Sequence, residues 1–165
     1  MKYSEFITNK EKENQGVEME VGEGFFITVA RLGNEKCKKF MEKANHPHLR
    51  RIRKGTLPTG IRDGILIKAI AKTVLLNWRG LEEEVLDDNG HKVIDLETGE
   101  IKTVEIPYSK EKAIELMTSS DDFLECIIEY SQDQQNFKDQ DIEDAEGNLS
   151  SASNGNSNEA NSESS

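Results

Sequence analysis

Val17, Met19 and Val21 alternate with Glu18 and Glu20, the period-two signature of a strand with one wet face. Gly22-Glu23-Gly24 is turn chemistry, and Phe25 to Leu32 is rich in aromatic and β-branched residues, so the two segments predict a hairpin. Gly33-Asn34 stops the second strand. Asn34 then caps a helix whose apolar stripe is Cys37, Phe40, Met41 and Ala44, ended by Pro47. After a basic connector, apolar residues recur at helical spacing from Ile61 to Trp78 and cover more than one stripe. That pattern predicts a central helix packed on two sides, with Gly80 as its left-handed cap. Asp88-Asn89-Gly90 and Glu97-Thr98-Gly99 are turns in a polar stretch with short β-like flanks, which predicts a mobile hairpin insertion running to Pro107. Ser109 caps a helix through Met117. Ser119 or Ser120 caps another, with the stripe Phe123, Leu124, Ile127, Ile128, Ser131 and Phe137. No internal repeat stands out.

These elements predict one α+β domain over residues 17–138: a small N-terminal β-hairpin or sheet packed with an α-helical core. Composition changes the picture at both ends. Residues 1–16 are polar and predict a frayed terminus, although Tyr3, Phe6 and Ile7 are able to dock. Residues 139–165 hold seven acids, no Lys or Arg, and are dominated by Ser and Asn towards the end. Such a segment buries too little apolar area to offset roughly 1–2 kcal/mol of backbone entropy per residue, which predicts a disordered acidic tail.

Charge and cysteine content exclude several classes. The chain carries 21 Lys+Arg against 32 Asp+Glu, a net −11, so nucleic acid repels it on average and binding would need a local basic patch. The best apolar stretch, Ile65 to Trp78, is interrupted by Lys68 and Lys72 and falls short of the ~20 residues a membrane span needs. No secretory leader is visible and two cysteines make no disulfide framework, so a soluble protein of a reducing compartment is expected.

Candidate chemistry is sparse. His46-Pro47-His48 lies near Cys37, but no Cys-x-x-Cys or His-Glu-x-x-His spacing supports a metal site, and both cysteines fall on apolar stripes. The acids are solvated rather than opposed across a cleft, Gly22 and Gly24 lead into a strand rather than a helix, and no nucleophile motif is present. No enzyme and no cofactor is expected. A basic cluster is the exception: Lys36, Lys38, Lys39, Lys43, Arg50, Arg51, Arg53 and Lys54 are opposed only by Glu42. It suits phosphate, but lacks interleaved aromatics for base stacking. An acidic partner, or the chain's own tail, is the preferred ligand of Arg50, Arg51 and Arg53. A small nucleic-acid-binding protein is the alternative.

The order of motifs goes further than the composition. The run Phe26-Ile27-Thr28-Val29-Ala30-Arg31-Leu32-Gly33-Asn34 precedes a Lys-rich helix, an apolar helix ends in Asn77-Trp78-Arg79-Gly80-Leu81, and Ile106-Pro107-Tyr108-Ser109 introduces two final helices. Over residues 17–138 this series resembles the tail assembly chaperones of long-tailed, siphovirus-like bacteriophages, with Trp78, Gly80, Pro107, Tyr108 and Ser109 as the matching motif positions. The stretch between Gly80 and Pro107 is longer than the family's usual short turn. The resemblance implies a non-virion protein of the host cytoplasm that binds and solubilises the tape measure protein and helps recruit tail-tube subunits. It implies no catalysis. Phe123, Ile127 and Phe137 are the further candidates for partner binding, and homo-oligomerisation is open.

Overall fold

The computed structural model describes residues 1–139, and the expected acidic tail lies, from residue 140 on, outside the described residues. Val17–Gly22 (β1) and Phe25–Val29 (β2) form the predicted hairpin, and a third strand, Leu75–Arg79 (β3), pairs antiparallel with β2 to give the order β1-β2-β3. Met19, Ile27 and Trp78 face one another across the three strands; Ile27 and Trp78 are buried in the core. On the wet face Arg79 lies over the Phe26 ring at 3.7 Å and forks onto Glu18 (2.9 and 3.2 Å).

Between β2 and β3 run three helices, Glu35–Asn45 (α2), Leu49–Arg53 (α3) and Thr59–Thr73 (α4). Asn34 caps α2 as expected, its side chain accepting from the Cys37 N–H at 3.0 Å. The predicted helix from Ile61 to Trp78 is corrected. It stops at Thr73, and Trp78 stands on a strand rather than at a helix end. The cause is tertiary. The Asn34 side chain donates to the Thr73 carbonyl (2.9 Å) and Ala30 N–H donates to the Val74 carbonyl (2.8 Å), so carbonyls at the helix end are captured from outside. Apolar periodicity alone does not separate a buried helix from the buried strand that follows it.

Lys110–Ser119 (α5) and Asp121–Gln132 (α6) follow, capped by Ser109 and Ser120, whose hydroxyls accept from Lys112 N–H and Phe123 N–H. Helix α5 packs on α4, and α6 packs on α5 and β2. Phe137 is beyond α6, in a short turn of Gln134–Phe137, yet is fully buried.

The N-terminus also differs from expectation. Instead of fraying, Lys10–Gln15 forms a helix (α1) capped by Asn9, and Asn9 N–H donates to the Phe137 carbonyl at 2.8 Å. Arg31 N–H donates to the Glu13 carbonyl and Leu32 N–H to the Ser131 carbonyl (both 2.9 Å), so α1, the end of β2 and the end of α6 are tied together. Glu13 is 5% exposed and receives hydrogen bonds from Thr8, Lys10 and Arg31. Composition hides this docking because its anchors are polar.

Candidate binding surfaces

Trp78 organises the region on which the predicted motif residues converge. Its indole N–H donates to the Ile106 carbonyl at 2.7 Å, and its ring meets Tyr108 edge-on, with centroids 4.8 Å apart. Phe123 makes a second edge-on contact at 6.3 Å. The Tyr108 hydroxyl donates to the Leu75 carbonyl at 2.8 Å, and burial, helped by Glu111, pushes its pKa up. Gly80 is not a helix cap. It leaves β3 with φ +73°, and a Cβ there would stand 1.9 Å from the Gly24 carbonyl oxygen. Ser109 caps α5, and Pro107 is exposed between the buried Ile106 and half-buried Tyr108. These five positions therefore form a structural joint.

The joint carries an arm. Leu81 and Ile106 pair at its base (Ile106 N–H to Leu81 carbonyl, 2.7 Å), and Glu82–Glu84 (β4) and Thr103–Glu105 (β5) form its two-stranded stem. Beyond the stem the backbone closes a three-way ring: Val85 N–H donates to Lys102, Lys102 N–H to Val93 and Val93 N–H to Val85, at 2.8–2.9 Å. Asp87 and Asp95 each cap a turn, accepting from Asn89 and His91 N–H and from Glu97 N–H respectively. Two similar units are thus set side by side, Val85-Leu86-Asp87 leading to Gly90 and Val93-Ile94-Asp95 leading to Gly99. The sequence signal for this repeat was the pair of Val-x-Asp triplets eight residues apart.

The arm is also the main surface that sequence reasoning missed. Leu86, Ile94, Leu96, Ile101 and Val104 are all exposed on it, Leu96 at 98%. A second exposed apolar group, Tyr3, Phe6 and Ile7, lies on the N-terminal turn Tyr3–Phe6 and the residue after it.

The proposed partner-binding residues separate into two sets. Arg50, Arg51 and Arg53 are exposed on α3 and make no ion pair among the described residues, so the basic ledge is available. Ile127 and Phe137 are 0% exposed and Phe123 is half-buried against Trp78; these three serve the core, which corrects their assignment to a partner surface. Helix α6 packs on α5 and β2, and the apolar residues of its stripe join the core there. Among the described residues no three His, Cys, Asp or Glu side chains converge as metal ligands. Cys37 is buried, and burial followed by the Glu129 charge pushes the Cys126 thiol up. No helix among the described residues is long and apolar enough to cross a membrane.

The chain belongs to the YdaY prophage protein family, which matches residues 32–148 and so takes in the ledge, the joint, the arm and both C-terminal helices. It is a protein of phage origin. No curated protein and no solved structure matches the chain.

Proposed function

We propose that this prophage protein is a tail assembly chaperone, acting without catalysis or cofactor in the host cytoplasm. It binds and solubilises the tape measure protein and helps recruit tail-tube subunits. The observation that carries the reading is the ordered motif series, from the Phe26–Asn34 run through Trp78-x-Gly80 to Pro107-Tyr108-Ser109, in a chain of phage origin. Exposed aliphatic and aromatic side chains on the arm and the N-terminal turn suit contact with a protein client. Co-expression with the tape measure product of the same prophage tests the reading. The client is expected to stay soluble and to co-purify with this chain. A client that aggregates equally with and without it overturns the assignment.

The unpaired cations of the ledge favour one second reading, a nucleic-acid-binding protein. That reading requires tight binding to mixed-sequence DNA with a steep loss on adding salt, whereas the chaperone reading expects binding to be absent or millimolar at physiological salt.

A further inference from the structure

The molecule keeps its opposite charges on two separate surfaces. The arm, residues 82–105, carries nine Asp and Glu against two Lys; the ledge, residues 36–54, carries eight Lys and Arg against one Glu. No ion pair joins the two within one copy among the described residues, and the ion pair on the arm stem, Lys92 to Glu84, is local. Apolar shape follows the same division. Between α2, α3 and α4 lies a notch of about 190 Å³ lined by Met41, Ile52, Leu57 and Ile65, with Arg62 also at its wall. Its Ile52 sits on the same short helix as Arg50, Arg51 and Arg53. On the arm, Leu96 is 98% exposed and stands between Asp95 and Glu97. One surface is an aliphatic knob among acids, the other an apolar hole among cations.

We propose that the occupant of the notch is a second copy of this chain. Leu96 of one copy seats between Met41, Ile52, Leu57 and Ile65 of the next, and the arm's acids lie against the arginines of α3. Single exposed ion pairs contribute little, but the summed attraction of the two opposite charge fields holds and orients the copies, while the seated leucine fixes the register. The two patches differ, and each copy owns both. The contact is therefore heterologous and propagates head to tail unless the rotation between copies closes a ring. This goes beyond the chaperone reading and does not rest on any client.

Sedimentation velocity of the full chain, alone, over a wide concentration range tests it. At ~0.1 M salt the mass is expected to rise with concentration beyond that of a dimer. It is expected to fall back towards 18.6 kDa at ~1 M, where the Debye length is only about 3 Å. Leu96→Asp, at a position too exposed to threaten folding, should weaken association at least tenfold. So should the ledge reversal R50E/R51E/R53E and the arm reversal E83K/E97K/E100K, each checked by circular dichroism. Mixing the two reversed proteins should restore assembly, because each then offers the surface the other lacks. A monomer at every concentration overturns the proposal, as does a closed dimer indifferent to Leu96→Asp. Loss of assembly on deleting residues 140–165 alone also overturns it, since the tail would then be the ledge's occupant.

Discussion

Glu13 shows how much of the N-terminal docking rests on one carboxylate. Burial alone pushes its pKa up, but hydrogen bonds from Lys10, Thr8 and Arg31 outweigh that and hold it at about 2, against an ordinary 4.5. In the unfolded chain the carboxyl regains its ordinary value. The folded form therefore gains stability that is fully present above pH 4.5 and is lost as pH falls towards about 2. A shift of that size corresponds to something on the order of 3 kcal/mol. Glu13→Gln should lower the thermal midpoint at neutral pH, and the gap to the unsubstituted protein should close as the pH is lowered. A gap constant across the acid range would show that the carboxylate's charge is not what ties α1 to Arg31. Asn34 plays a comparable part just beyond the same end of β2. It caps α2 and donates to the carbonyls of both Arg31 and Thr73, so one 7%-exposed amide decides where α2 starts and where α4 stops.

At the scale of elements, local patterning was legible where a segment answers to its own periodicity. The β1–β2 alternation, the Asn34, Ser109 and Ser120 caps and the two turns in the arm all stand where the sequence puts them. What was not legible depends on distant partners. Nothing between Ile61 and Trp78 signals that Asn34 and Ala30 will take the carbonyls of Thr73 and Val74, so β3 was absorbed into the helix before it. The same blindness turned the core residues Ile127 and Phe137 into a partner surface: an amphipathic stripe shows that a face is covered, not by what. Gly80 was singled out correctly but for the wrong reason, and the contact it makes is testable. Gly80 and Gly90 share a left-handed φ (+73° and +80°), but of the two only at Gly80 would a Cβ strike backbone, the Gly24 carbonyl oxygen; at Gly90 no atom of the described residues lies within 4 Å. An alanine at Gly90 should therefore show the conformational strain alone, about 1–3 kcal/mol. Gly80→Ala should cost clearly more, because the β1–β2 turn must move. Chemical denaturation of the two variants separates the terms, and equal losses would mean that β3 does not press on that turn in solution.

On the scale of the whole molecule, the arm behaves as an insertion into a finished core. The chain leaves the core at Leu81 and returns at Ile106, and those two residues already pair through their backbones at 2.7 Å. The Trp78 indole hydrogen bond also ends on Ile106, inside the joint rather than out on the arm. Beyond the joint, the aliphatic side chains Leu86, Ile94, Leu96, Ile101 and Val104 are exposed, so the arm removes little apolar surface from water. Its removal costs the Gly80 N–H its bond to Glu105, but that contact is exposed and water replaces it. Replacing residues 82–105 with a four-residue Gly/Asn turn also shortens the excursion sixfold, worth about 1.5 kcal/mol of closure entropy, which offsets the loss. The armless protein should keep its helical circular dichroism, its buried-tryptophan fluorescence and a thermal midpoint within about 4 °C of the full chain, a change near 1 kcal/mol. A fall of many degrees, with the Trp78 emission shifted to the red, would show that the arm is folded into the core and that its exposed side chains are not free to meet a partner.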